Sequence, residues 1–371
     1  MLLMQKATFF HSKKLKNSKQ KFVQCTACRH YCTLPENGYG ICGARKNVSG
    51  KLFLLTHSKP CSMYLDPIEK KPLFHFLPGS QTMSIGFLGC NFKCDFCQNY
   101  DLSCTKGPAL EKALSGANYA QEVSPQKFVE IARESPAKSI AFTYNEPVIS
   151  AEYNLEAMKI AKSLQGKELK CVYVSNGYAS AEQIKALTKT HRTKAIAKKS
   201  SGGARLDAIN IDLKSFNSEF YKSVCGARLE EVLKCIKAFH KAGAWVELTT
   251  LLIPGKNNSP EELKQIAHFI SKLDKKIPWH LSAFHPMHRM SDLPPTTAEE
   301  TISAIKIGKE EGLKFVYGGN IGARGVEDTS CPKCGSILIT RSRYETAIVG
   351  LKTKKEKGKC YSCGEKIPGV F

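Results

Sequence analysis

Seven short apolar runs alternate with stretches of helical periodicity between residues 82 and 320, and this alternation restricts the fold more than any other feature. The runs fall at 83–88, 139–144, 171–175, 208–213, 246–253, 280–284 and 314–317. Helical patterns lie at 125–134, 152–164, 181–188, 229–240, 260–273 and 298–310. Ser259 with Glu262, Thr297 with Glu300 and Ser180 with Gln183 are capping-box pairs, and Pro260 stands at a first helical position. Alternation of this kind builds a parallel α/β sheet, because each parallel pair needs a helical crossover. Six or seven units predict a parallel barrel or an open part of one, with chemistry at the carboxy ends of the strands. A doubly wound open sheet is the competing arrangement.

The loop after the first run carries Cys90, Cys94 and Cys97 in a C-x3-C-x2-C spacing. Three thiolates so close together can hold three corners of a cubane [4Fe-4S] cluster. A closed electron-transfer cluster normally takes four thiolates, so three leave one iron open to a substrate. A zinc knuckle completed by Cys104, or a set of buried thiols, is the competing reading, but the spacing fits no common zinc pattern.

Two further groups divide the chain. Cys25, Cys28, Cys32 and Cys42 form an amino-terminal C-x2-C-x3-C-x9-C group, and Cys331, Cys334, Cys360 and Cys363 a carboxy-terminal C-x2-C-x25-C-x2-C group. The second has the spacing of a zinc ribbon, with Pro332, Gly335 and Gly364 permitting tight turns. The first suits zinc or a second iron–sulfur cluster, with His30 as a substitute ligand, since thiolates serve both metals. Three parts follow: a basic, Cys-rich extension at 1–80, the barrel at 81–325 and a zinc-ribbon-like module at 326–371. Cys171 and Cys235 sit on apolar patterns and read as small buried hydrophobes. Residues 191–206, rich in Lys, Ser and Gly, read as an exposed basic insertion.

The chain has 371 residues and a formal charge of +22, and residues 1–60 hold eleven Lys or Arg against a single acid, Glu36. Such a surface suits an acidic protein or nucleic acid. No apolar run approaches the roughly 20 residues of a membrane span, and the amino terminus does not read as a secretory signal. The expected location is the cytoplasm, where the cysteines stay reduced and favour metal over disulfides.

The triplet, with Phe96 just before its third cysteine, resembles the radical S-adenosylmethionine (SAM) superfamily. That resemblance implies a partial (β/α)6 barrel in which the open iron chelates SAM. The cluster then splits it reductively to a 5′-deoxyadenosyl radical that abstracts hydrogen from a substrate. It also implies roles at the strand ends. Asn145 and Glu146 lie in Thr143-Tyr-Asn-Glu-Pro147, which resembles the Gly-Gly-Glu-Pro element, with Tyr144 and Asn145 in place of the glycines. Ser175 and Asn176 in Val174-Ser-Asn-Gly-Tyr178 are expected near the ribose or methionyl groups, and Phe96 near the adenine. Asp212 and Lys214 match an Asp-Leu-Lys element, with a mutual ion pair as the plainer reading. His285, before Pro286, has a counterpart by the adenine.

The amino-terminal group, the segment from Asp66 to His75, the loop from Gly89 to Asn99 and the terminal module together resemble the radical SAM enzyme of the AmmeMemoRadiSam system. That family is related to pyruvate formate-lyase activating enzymes. The resemblance implies a protein or peptide substrate, a flavodoxin- or ferredoxin-like electron donor, and Memo-like and AMMECR-like partners. An RNA-modifying radical SAM enzyme and a non-catalytic metal-bound scaffold are the rival functions. Nucleic acid is the less favoured partner, and no membrane is expected. The segment 66–79 has no free-standing chemistry and is expected to pack as a hairpin on the barrel.

Overall fold

The computed structural model describes residues 4–14, 20–116, 122–163, 168–188, 205–342, 344–353 and 356–371. The basic insertion lies outside the described residues up to position 204, as do Lys16 and Lys19 of the basic 1–80 extension. An eight-stranded sheet organises the rest. Its parallel strands are β1 (Gln81–Gly86), β2 (Ser139–Phe142), β3 (Lys170–Ser175), β4 (Ala208–Asp212), β5 (Trp245–Leu252), β6 (Trp279–Ala283) and β7 (Val316–Gly319), paired in chain order. The crossovers are α1 (Pro125–Glu134), α2 (Ala151–Ser163), α3 (Ala181–Thr188), α4 (Leu229–Lys241), α5 (Pro260–Asp274) and α6 (Ala298–Glu310). Six strand–helix units and a closing strand make the expected partial (β/α)6 barrel. It stays open because its outer edge is Ser62–Pro67, which pairs antiparallel with β1.

Local chemistry explains where these elements start. The Thr297 hydroxyl accepts from Glu300 N while the Glu300 carboxylate accepts from Thr297 N, a complete capping box. The other two predicted boxes are half made. Ser259 accepts from Glu262 N at 3.2 Å, but the Glu262 carboxylate turns to Ser215 and to Phe216 N. Ser180 accepts from Gln183 N at 3.1 Å, and the Gln183 amide donates instead to Val148 O. Tertiary partners outbid the local ones. β2 is buried throughout, and β4 up to Asp212, as strands covered on both faces must be.

The segment after Ser62–Pro67 closes the amino-terminal end of the barrel. Ile68, Leu73 and Phe76 pack against Ala141, Val172 and Ala208, residues level with one another across β2, β3 and β4. Pro72 O accepts from Asn210 Nδ2 at 2.8 Å, and Glu247 of β5 accepts from Phe74 N and His75 N at 2.9 and 2.8 Å. An antiparallel pair is present, but its strands are 62–67 and 81–86; the segment 66–79 expected as a hairpin is mostly the connection between them, which forms a plug. The carboxy-terminal module, with strands Thr329–Ser330, Ile337–Ser342 and Glu345–Ile348, rests on this plug through Phe74, Leu338, Ile339 and Ile367. Buried Arg341 donates to Phe74 O and lies 4.1 Å from the centre of the Phe74 ring. Two small three-stranded sheets make up the amino-terminal part. Arg45 fastens it to α2 through a buried two-pronged pair with Glu152, at 3.1 and 2.5 Å.

Candidate functional site

At the carboxy ends of the strands the barrel opens into a cavity of about 500 Å³. Cys90, Cys94, Cys97 and Phe96 line it, together with Asn145, Ser175, Asn176, Asp212 and Lys214. Nine of the eleven residues expected here thus face one space. Glu146 lies just beneath it, fully buried. His285 is the one the structure places elsewhere: it is exposed and does not line the cavity. Ser282 does line it, and side chains alternate along a strand, so residue 285 continues the opposite face.

The loop from Gly86 to Cys97 is braced from β2 and β3. Asn145 accepts from Phe87 N at 3.2 Å and donates to Gly89 O at 2.9 Å, so its amide fixes the entry to the cysteine loop. Tyr144 beside it has φ +71°, a conformation that favours glycine and that a tyrosine adopts at some strain. Glu146 accepts from Val148 N at 3.0 Å, from Ser175 Oγ at 2.8 Å and from Asn176 N at 2.7 Å. It therefore shapes the end of β3. Burial pushes its carboxyl up to about 7 against those three bonds.

The sulfur environment suits a metal-bound thiolate. Phe92 N and Asn176 Nδ2 approach Cys90 Sγ at 3.4 and 3.6 Å. Burial pushes the Cys90 thiol far up, so the anion is held there only when a metal replaces the proton. Lys214 pairs with Asp212 at 2.8 Å and its ammonium lies 5.6 Å from the centre of the Phe96 ring. The plain ion pair expected from sequence exists, and both partners face the cavity.

Sequence reasoning missed a second group on the cavity wall. Asp66 accepts from Lys71 Nζ at 2.7 Å, Lys70 Nζ at 2.9 Å and Tyr144 Oη at 2.5 Å. Burial lowers the Lys71 ammonium to about 8 despite that carboxylate. Tyr144 and the segment from Asp66 to His75 each belonged to a recognisable motif, but nothing in the spacing linked the two.

A model of the radical SAM superfamily matches residues 84–270. The chain belongs to the radical SAM superfamily. A protein of Methanocaldococcus jannaschii known as uncharacterized protein MJ0808 is 38% identical over 369 residues, covering 99% of this chain and 100% of the relative. A putative glycyl-radical enzyme activating enzyme of the same organism is 25% identical over 234 residues, covering 62% of this chain and 75% of its own. Among solved structures, a radical SAM methyltransferase from Sphaerobacter thermophilus is 13% identical with a TM-score of 0.48, covering 89% of this chain and 81% of that one. Membership implies a [4Fe-4S] cluster and SAM.

The two other cysteine groups differ in geometry. The sulfurs of Cys331, Cys334, Cys360 and Cys363 all lie within 4.8 Å of one another, close enough to share one metal ion. Cys25, Cys28, Cys32 and Cys42 line a small separate pocket with His30 and Arg45. Among the described residues no helix is long and apolar enough to cross a membrane.

Proposed function

We propose that this radical SAM enzyme binds its cluster through Cys90, Cys94 and Cys97 and abstracts hydrogen from a protein or peptide, as an activating-type enzyme of the AmmeMemoRadiSam family. The observation that carries this is the convergence of Cys90, Cys94 and Cys97 on a cavity edged by Asn176, Asp212 and Lys214; Cys104 also lines it but is exposed, and among the described residues it forms no close four-ligand group with the triplet. When bound, the cluster supplies the electron that splits SAM to methionine and the 5′-deoxyadenosyl radical. The chain's own residues do the rest. Glu146 holds the Ser175–Asn176 turn where SAM contacts are expected, and Asn145 sets the loop that aims the three sulfurs. Phe96 offers an apolar face for the adenine, and the barrel walls keep water from the radical.

A protein substrate is favoured by the activating-enzyme name of one relative and by the basic surface of residues 1–60. That reading brings in a flavodoxin- or ferredoxin-like donor, Memo-like and AMMECR-like partners and a cytoplasmic setting. In the same reading the 1–80 extension, 81–325 barrel and 326–371 module act as one catalytic unit, with zinc at the terminal cysteines.

Anaerobic reconstitution followed by reductant and SAM should release 5′-deoxyadenosine. Cys90→Ser, Cys94→Ser or Cys97→Ser should each abolish that release and the SAM-dependent change in the cluster's paramagnetic signal. Turnover that survives any of the three substitutions refutes the assignment.

A further inference from the structure

The amino-terminal cysteines have the wrong geometry for the ion that the carboxy-terminal group accommodates. One tetrahedral zinc with bonds of about 2.3 Å holds its four sulfurs roughly 4 Å apart. Cys331 and Cys363 meet that at 3.6 Å, and Cys334 and Cys360 at 3.7 Å. Among the described residues this is the only group of three or more His, Cys, Asp or Glu with all ligand atoms inside 4.8 Å. Cys25, Cys28, Cys32 and Cys42 do not close to that spacing, yet all four surround one pocket. Cys90, Cys94 and Cys97, which the family fits with a cubane, are likewise spread. In a cluster each thiolate sits on a different iron, so the sulfurs must stand farther apart than on one ion.

The pocket is built mostly from buried residues, with half-buried Cys32 and exposed Ile41 at its rim. Cys25, Cys28 and Cys42 are buried, as is Arg45 in the same wall. His30 is not a free alternative ligand through Nε2, which donates to Asn91 O at 2.9 Å. Four thiolates would saturate four irons and leave none open. The pocket shares no lining residue with the barrel mouth. With every iron ligated by a thiolate there is no open position for a substrate, so such a cluster can exchange only electrons.

Its walls touch the catalytic loop directly. Cys42 O lies 2.5 Å from where a side-chain carbon on Gly89 would stand, and Gly89 has φ +89°, so only glycine fits between Cys42 and Cys90. His30 is bonded to Asn91, the residue after Cys90. A ring path runs beside it, with His30 and Tyr178 centres 4.8 Å apart and Tyr178 and Phe92 5.2 Å apart. Cys28, Cys90, Phe92 and Tyr178 belong to one packed core.

We propose that Cys25, Cys28, Cys32 and Cys42 hold a second, fully ligated [4Fe-4S] cluster that relays electrons to the cluster at Cys90, Cys94 and Cys97. The relay rests on the function proposed above. A one-electron carrier protein of the iron–sulfur or flavin class is oxidised by one electron. The second cluster is reduced from 2+ to 1+ and passes the same electron on, with no bond made or broken.

Wild-type full-length protein, reconstituted anaerobically, should contain about eight irons and eight sulfides with one zinc. Its fully reduced spectrum should show two magnetically interacting clusters. The Cys28→Ser/Cys42→Ser variant should lose half the iron and sulfide and keep the SAM-responsive signal. Reduction of the remaining cluster by reduced ferredoxin should slow on the order of tenfold or more, while dithionite still reduces it. A wild-type count of four irons and two zincs overturns the cluster, whether or not the variant folds. Unchanged reduction by ferredoxin in a variant with half the iron overturns the relay. A Cys90 cluster indifferent to SAM refutes the proposed function but leaves the iron count of the amino-terminal pocket standing.

Discussion

Two fully buried glutamates stand near opposite ends of the barrel, and their surroundings separate what the fold needs from what the site needs. Glu247, at the plugged end, accepts from Phe74 N, His75 N, Trp245 Nε1 and His280 Nε2, all within 2.9 Å. Burial alone would raise its carboxyl, but the bond and charge of His280 outweigh that and hold it below the usual range. Glu146, under the mouth, has only hydroxyl and backbone donors, and no salt bridge to it occurs among the described residues. Its carboxyl rises to about 7. At the plugged end the carboxylate of Glu247 has a full set of donors, a histidine among them. The mouth keeps a buried acid without a direct cation, beside the space where a cationic cosubstrate is expected.

Removing the acid from the plugged end should have the largest effect on stability. Glu247→Leu strands two backbone N–H groups, an indole N–H and His280, so unfolding free energy should drop by about 3–5 kcal/mol. Denaturant titration of the metal-loaded protein measures this. A loss below about 1 kcal/mol would mean that the plug is not held by this carboxylate.

Acid should act next, and at the same end. His75 is buried between Pro368 O, at 2.7 Å from Nδ1, and Tyr317 Oη, at 2.6 Å from Nε2. It also faces Glu247, Arg341 and His280. Burial lowers it from 6.5 to about 4. The unfolded chain therefore takes up the proton first, and stability is lost as pH falls from 6.5 towards 4. The loss should reach about 3 kcal/mol. His75→Gln should flatten that part of the profile relative to wild type, which separates it from metal loss at low pH. An identical slope in both proteins would remove His75 as the cause.

This contrast also explains what was legible in the sequence. α1, α3 and α6 begin and end where periodicity and capping residues place them, and each barrel strand starts within two residues of its apolar run. The cysteine triplet was readable because its ligands are neighbours in sequence. Glu247 was not, since it sits inside an apolar run and its backbone partners are 172 and 173 residues away. The plug at 68–76 was opaque for the same reason: its pattern matches neither strand nor helix, and its meaning lies in what it covers. His285 shows the limit of placing a residue by strand-end position alone, because the side-chain alternation decides which side of the strand it continues.

Glu146→Gln should produce the smallest change in stability and so sharpens the comparison most. Glutamine can keep accepting at one oxygen, while its amide nitrogen meets a donor and loses that bond. Against this, the variant removes a carboxyl whose folded value near 7 exceeds its ordinary 4.5. In wild type that difference makes stability fall as pH rises from 4.5 to 7, and the variant should lack this decline. The two effects oppose each other, so at pH 8 the variant's stability should stay within about 1 kcal/mol of wild type. SAM retention should nevertheless weaken about tenfold, equivalent to 1.4 kcal/mol, because the turn carrying Ser175 and Asn176 loses its anchor. Equilibrium binding of SAM to the reconstituted enzyme, set beside denaturant curves for both glutamate variants, tests this. If Glu146→Gln unfolds as readily as Glu247→Leu and binds SAM normally, the acid at the mouth serves the fold alone, and the distinction between the two ends is lost.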